Sequence, residues 1–313
     1  MVAMRQLGDS GLTTPPLVLG GNVFGWTADR ERSFEILDRF VARGGTMIDT
    51  ADVYSSWVPG NQGGESETII GEWLKRRGRR DDVLIATKVG YDKGLSADWI
   101  AEAADRSLAR LGVDHIDLYY SHKDDPSVPL EETLGAFDRL VKAGKVRAIG
   151  ASQIDAERLG EALDIRAREG VARYSVLQIW YNLVERGRYE GPLADLVAER
   201  GLGMVAFYGL ASGFLTGKYR GKADLGKSPR GGGMDKYLDA RGLRVLAALD
   251  EVAADLGATP AQVALAWLAA QPTVTAPIAS ATSVDQLDEL LGAVELELSA
   301  AQLDLLNGAS QEE

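Results

Sequence analysis

Eight short apolar runs recur along the chain with helical patterns between them, and this alternation limits the fold more than any other feature. The runs are Leu17 to Gly21, Thr46 to Thr50, Val83 to Lys88, Ile116 to His122, Val146 to Ser152, Val176 to Asn182, Gly203 to Gly209 and Val274 to Ser280. Short β-rich runs separated by amphipathic stretches read as parallel strands with crossover helices. Eight such units make an α/β fold, a closed, parallel, eight-stranded (β/α)8 TIM barrel. Between the runs, Ile100, Ala104, Leu108 and Leu111 repeat at helical spacing, as do Leu130, Leu134, Phe137 and Val141, so each helix has one apolar face to lay on the sheet. Thr259-Pro260-Ala261-Gln262 and Ser299-Ala300-Ala301-Gln302 carry the spacing of capping boxes and open two late helices. No linker or composition shift marks a boundary, and residues 1–313 read as a single domain. The one long irregular stretch, Ala211 to Asp239, is rich in glycine, follows the seventh run and reads as a lid over the barrel mouth.

A chain of 313 residues with 45% hydrophobic content can bury a core of that size. Its net charge of -12 and isoelectric point near 4.8 disfavour nucleic acid or an anionic membrane surface as partner, which leaves a small molecule. Without cysteine, neither disulfides nor thiolate chemistry can occur. Met1 to Gly8 has no apolar signal core, and no run reaches the ~20 apolar residues of a membrane span, so a cytoplasmic protein is expected. Its oligomeric state is open.

In a barrel of this kind the strands' C-terminal ends build the active face. Asp49 ends the second run, Lys88 the third and His122 the fourth, and Tyr54 follows Asp49 on the next loop. Together these side chains suit acid catalysis of hydride transfer to a carbonyl. A neighbouring ammonium favours a phenolate, so Lys88 is expected to lower the Tyr54 pKa toward the working pH. Asp49 then keeps Lys88 charged and in place, and His122 donates a hydrogen bond to the substrate oxygen. Taken singly, Asp49 could cap a loop, Lys88 end a strand in solvent and Tyr54 pack a loop. His122 differs, because the chain has only two histidines, and that scarcity also argues against a metal-dependent hydrolase and against a metal site.

The motifs around these four residues, M-I-D-T-A-D-V-Y, A-T-K-V-G and Y-Y-S-H-K-D-D, resemble those of the aldo-keto reductase family, and the likeness runs from M-R-Q-L-G-D-S-G-L to Leu298-Ser299. It lies with bacterial members that have a long loop after the seventh strand and with the branch that resembles channel β-subunits. The resemblance implies an NAD(P)H-dependent oxidoreductase with Asp49, Tyr54, Lys88 and His122 as its catalytic tetrad. It reduces aldehyde, ketone or sugar carbonyls reversibly, with Tyr54 as general acid. The cofactor lies extended across the mouth without a Rossmann fold, NADPH first and NADH second.

Position by position, Ser152 and Gln153 of G-A-S-Q, with Gln178 of Q-I-W-Y-N, fall where the family bonds the nicotinamide carboxamide; Gln153 stands where Asn is usual. Phe207 of A-F-Y-G-L-A-S-G-F-L-T-G-K-Y takes the place of the ring stacked on nicotinamide. Tyr208 and Gly209 replace the usual Ser and Pro, and Leu210 and Ser212 follow near the pyrophosphate. Lys218 and Arg230 match basic residues that clamp the cofactor. In P-I-A-S-A-T-S-V-D-Q-L-D-E-L, Ser280, Gln286 and Glu289 match the 2′-phosphate and adenine contacts, with Leu290 for Asn and no basic residue in the motif. Ser283 with Gln286 reads equally as a third capping box.

Phe24, Trp26, Trp57 and Tyr91 are the expected walls of a pocket for a small apolar or sugar-like carbonyl compound. The chain stops soon after its final helix, from which an open site of loose specificity is expected. Two other functions stay open: an NAD(H)-dependent alcohol or sugar dehydrogenase working oxidatively, and a slow-turnover NADPH-binding sensor or auxiliary subunit of a membrane channel.

Overall fold

A computed structural model describes residues 3–227 and 231–311. It begins with a small antiparallel hairpin, β1 (Arg5–Gln6) and β2 (Thr13–Thr14), which the sequence pattern did not announce because each strand is only two residues long. The parallel strands follow: β3 (Val18–Gly20), β4 (Met47–Asp49), β5 (Leu84–Val89), β6 (Ile116–Ser121), β7 (Val146–Ser152), β8 (Tyr174–Trp180), β9 (Gly203–Phe207) and β10 (Val274–Ala279). Each pairs with the next in sequence, and β10 closes onto β3, giving the (β/α)8 barrel the runs predict. The largest displacement is β8, which starts at Tyr174 and ends at Trp180, two residues earlier at each end than the apolar run.

Crossovers place one helix after each of the first six barrel strands: α1 (Arg30–Ala42), α2 (Glu65–Arg77), α3 (Ala97–Leu111), α4 (Leu130–Lys142), α5 (Ala156–Glu169) and α6 (Pro192–Arg200). The stripes read from sequence face inward, with Ile100, Ala104 and Leu111 buried on α3 and Leu130, Leu134 and Phe137 on α4. After β9 come 3-10 turns at Ala211–Thr216, Lys222–Lys227 and Gly231–Tyr237, then α7 (Ala240–Leu256) and α8 (Pro260–Ala270); α9 (Val284–Leu291) and α10 (Ala300–Ser310) follow β10. Both predicted capping boxes form, at Thr259–Gln262 and Ser299–Gln302. The third does not close. Ser283 accepts from Gln286 N, but the Gln286 side chain reaches past Ser283 to Thr282 N at 3.0 Å.

Side chains alternate across a strand, so a barrel has an inner and an outer core. The inner core stacks Val18, Met47, Ala86, Leu118, Tyr120, Ala148, Val176, Val205, Ala276 and Ile278. Leu7 and Leu12 of the hairpin join it and plug the floor. The plug seats closely because Gly8, at φ +58, leaves no Cβ, which would otherwise sit 2.2 Å from Ser175 O. Continuing the same alternation upward brings Asp49, Lys88, His122, Ser152, Gln178 and Phe207 to the inward face near the rim, each on, or in the case of His122 just past, one of the strands β4 to β9. Among the described residues no single helix is long and apolar enough to cross a membrane.

Candidate active site

Lys88 is fully buried at the end of β5, and its ammonium is the hub of the rim. Nζ donates to Asp49 Oδ2 at 2.6 Å, to Thr50 O at 2.7 Å and to Tyr54 OH at 2.8 Å. Asp49 uses its other oxygen to accept from Gln178 Nε2 at 2.8 Å. A buried carboxylate and ammonium are tolerated because each is paired and hydrogen-bonded.

Period-2 alternation sends Thr87, the neighbour of Lys88, outward, where Thr87 Oγ1 donates to Glu67 Oε1 on α2 at 2.5 Å. Glu67 is completely buried and accepts from Arg110 Nε of α3 at 2.6 Å. Thr50, beside Asp49, donates to Ser66 Oγ at 2.8 Å, and Ser66 donates to Gly21 O at 2.8 Å. The first turn of α2 therefore ties together the ends of β3, β4 and β5. The loop carrying Tyr54 is held likewise: Ser55 Oγ donates to Phe24 O at 2.7 Å, and Asn61 Nδ2 reaches Gly25 O and Ser55 O, both at 3.1 Å.

His122 caps β6 inside the mouth. Its backbone N donates to Val89 O at 2.8 Å, and Gln153 Nε2 donates to its carbonyl at 3.0 Å. The ring lies 6.0 Å from Tyr54 and 4.8 Å from Tyr91, and its buried Nδ1 has no partner among the described residues. Burial, and then the Lys88 charge, push the His122 pKa well below its ordinary value, so the ring is neutral at neutral pH. Burial also lowers the Lys88 pKa, against the opposing pull of Asp49.

The expected lowering of the Tyr54 pKa is reversed. Burial of the hydroxyl, followed by the Asp49 and Tyr208 charges, raises it well above the ordinary value. Asp49, 2.6 Å from the ammonium, sets its own charge against the phenolate, and desolvation of the phenolate is the largest effect. Tyr54 is thus protonated across neutral pH.

Of the expected pocket walls, Trp57 and Tyr91 are half exposed at the mouth, and Trp57 meets Trp26 edge-on at 5.6 Å and Tyr54 at 6.2 Å. Phe24 is a correction. It is completely buried in the outer core beneath the Tyr54 loop, away from the open mouth. Asp125 turns from His122 to accept from Leu95 N at 2.9 Å.

On the opposite rim Ser152 and Gln178 are buried, and Gln153 adopts φ +49 with its amide nitrogen engaged by the His122 carbonyl. Phe207 packs on the inner core, and Tyr208, at φ +57, lays its ring on Trp180 at 4.3 Å. Left-handed backbone continues through Ala211, Ser212 and Gly213, and Lys218 Nζ lies beside Gly213, 3.2 Å from where a Cβ would stand. Gly209 lies tight against Leu268, and Leu210 packs on the outer core. Ser280 Oγ donates to Asn22 Oδ1 at 2.6 Å, whereas Gln286 and Glu289 are exposed. Arg230 lies outside the described residues. Trp180 escaped the sequence reading, although its place two residues beyond Gln178 on one strand puts it on the same inward face.

A parallel barrel whose rim joins a buried Asp–Lys pair to a protonated tyrosine beside a neutral histidine belongs to the class of barrel oxidoreductases that work with a nicotinamide cofactor. The chain is a member of the aldo/keto reductase family, whose model matches residues 16–311. It is 35% identical to aldo-keto reductase str7 of Strobilurus tenacellus, over 91% of this chain and 82% of that one. It is 34% identical to a probable voltage-gated potassium channel subunit beta of Arabidopsis thaliana, over 93% and 91%. Aldo-keto reductase yakc [NADP(+)] of Schizosaccharomyces pombe is 33% identical over 88% and 81%.

Proposed function

We propose that this oxidoreductase reduces aldehyde, ketone or sugar carbonyls to alcohols, reversibly, with Tyr54 as general acid and NADPH as preferred cofactor, NADH being the second choice. The observation that carries this reading is the Lys88 ammonium bound at once to Asp49 at 2.6 Å and to the Tyr54 hydroxyl at 2.8 Å.

The backbone of the β9 rim supports a cofactor there. Non-glycine residues rarely hold left-handed φ, and such strain collects at ligand sites. Such backbone stands at Tyr208, Ala211 and Ser212, with Lys218 alongside, and the lysine charge suits a pyrophosphate. In this reading Ser152, Gln153 and Gln178 bond the carboxamide, Phe207 floors the nicotinamide ring, and Ser280, Gln286 and Glu289 meet the adenosine end, with Arg230 a further candidate clamp. When bound, the nicotinamide supplies or accepts the hydride.

This chain's own residues manage the proton. In reduction the carbonyl oxygen gains negative charge beside Tyr54 OH and the neutral His122 ring. Tyr54 transfers its proton to that oxygen, and the tyrosinate left behind is paired with Lys88 Nζ, whose position Asp49 fixes. His122 donates one ring N–H to the same oxygen and orients it. General acid catalysis of this kind contributes ~10² to 10⁴ in rate. Trp26, Trp57 and Tyr91 form an aromatic wall that favours apolar or sugar-like faces of the substrate.

Fluorescence titration with NADPH and NADH, followed by turnover of an aldehyde panel, tests the reading. Tight NADPH binding with turnover is the expected result. Tight binding with negligible turnover would instead favour a sensor or auxiliary subunit, a reading supported by likeness to the Arabidopsis thaliana channel subunit over 93% of this chain. Tighter NADH binding with alcohol oxidation would favour the dehydrogenase.

A further inference from the structure

Gln178 and Trp180 face inward on β8, so Trp180 stands one layer above the Gln178–Asp49 bond, at the rim. Two cations from distant parts of the chain converge on its indole: the Arg188 guanidinium at 4.8 Å and the Lys236 ammonium at 5.3 Å from the ring centre. Glu185 gathers both. It accepts from Lys236 Nζ and Tyr237 OH on Oε1, each at 2.9 Å, and from Arg188 Nε on Oε2 at 3.2 Å. A cavity of about 360 Å³ is lined by Glu185, Arg188, Lys236, Tyr237 and Arg241.

A contact that merely latched the Gly231–Tyr237 turn to the loop after β8 would need one cation for one carboxylate. Here Arg188 and Lys236 against Glu185 leave a net charge of 2 − 1 = +1, in a chain of net charge -12. Donors are in surplus as well. Arg188 commits one of its five N–H groups to Glu185, and Lys236 one of its three. Surplus donors on two cations that meet at one indole suit an oxyanion.

We propose that Arg188 and Lys236 form an anion subsite above Trp180 that selects carbonyl substrates bearing a carboxylate or phosphate at the end remote from the reacting carbon. This deepens the carbonyl-reduction reading and rests on it. Strand β8 lies four strands around the barrel from β4, the far side of the mouth from the strand that leads to Tyr54. A substrate with its oxygen at Tyr54 would meet Arg188 and Lys236 only through a tail that crosses the mouth to the β8 side.

The test compares kcat/KM for 4-carboxybenzaldehyde and the neutral, similarly branched 4-isopropylbenzaldehyde in the parent, Arg188→Gln and Lys236→Gln proteins, with NADPH affinity measured alongside. More than half of each side chain is exposed, so neither substitution threatens the fold. The parent is expected to prefer the charged aldehyde by about tenfold or more, the scale of one charge-assisted contact. Each substitution should cut that ratio severalfold, high salt should do the same, and inorganic phosphate should compete with the charged aldehyde but not with the neutral one. A parent ratio near one, or a ratio that neither substitution moves, overturns the subsite. So does weakening of NADPH binding in step with the ratio, which would assign the cations to the cofactor. Phosphate competing equally with both aldehydes would also overturn it. If the parent turned over neither aldehyde, the carbonyl-reduction reading itself would fail and take the subsite with it.

Discussion

Gln178, on β8, donates from Nε2 to Oδ1 of Asp49, on β4, spanning the barrel at 2.8 Å. The other oxygen of Asp49 holds Lys88 at 2.6 Å, so the position of the ammonium beneath Tyr54 depends on a residue from the opposite wall. A hydrogen bond to a charged group is worth ~1.5 to 3 kcal/mol. Gln178→Leu should therefore lower kcat at saturating cofactor by about tenfold or more, measured in the steady state. An unchanged kcat would mean that Lys88 alone orients Asp49.

Arg110 compensates a carboxylate that has no access to water. Glu67 is completely buried, and Arg110 is its only cationic partner among the described residues. Removing one member of such a pair leaves an uncompensated buried charge and costs ~3 to 5 kcal/mol. Arg110→Ala is expected to lower Tm more than Glu67→Gln, which removes the charge itself and keeps an oxygen for Thr87. Calorimetry on both variants checks the order, and the reverse order would contradict it.

Asp52, between Asp49 and Tyr54, has a buried Oδ1 with no hydrogen-bond partner among the described residues. Burial first, and then the Glu67 charge, push its pKa up to about 7, with Arg110 opposing. In the unfolded chain an aspartate titrates near ~3.9. Between these values the folded state holds a proton that the unfolded state has lost, so the destabilisation due to Asp52 grows as pH rises from about 4 and levels off above about 7. Asp52→Asn should thus gain more Tm over the parent at pH 8 than at pH 5. An equal gain at both would contradict this.

The strand runs and the gathering of Asp49, Lys88 and His122 at the mouth were legible because a barrel strand reads as an apolar run whose inward residues continue to the mouth. Asp49, Lys88 and His122 each fall at or just past a strand end. Tyr54 was legible only through its motif. What failed depended on packing between distant segments. Phe24 follows a strand end as a pocket residue would, but the loop folds back and Ser55 pins it under the Tyr54 loop. The direction of the Tyr54 shift required knowing that folding buries the hydroxyl and sets the Asp49 charge against the phenolate. Arg188 and Lys236 lie 48 positions apart in the sequence, and no local pattern brings them to one indole.

Delivery of the proton by the Tyr54 hydroxyl is tested by kcat of Tyr54→Phe at neutral pH, with NADPH affinity measured on the same preparation. The account predicts a fall of ~10² to 10⁴ in kcat with cofactor affinity retained, because the phenylalanine ring keeps the contacts to Trp57 and His122 and loses only the acid. Turnover within a few-fold of the parent would contradict it.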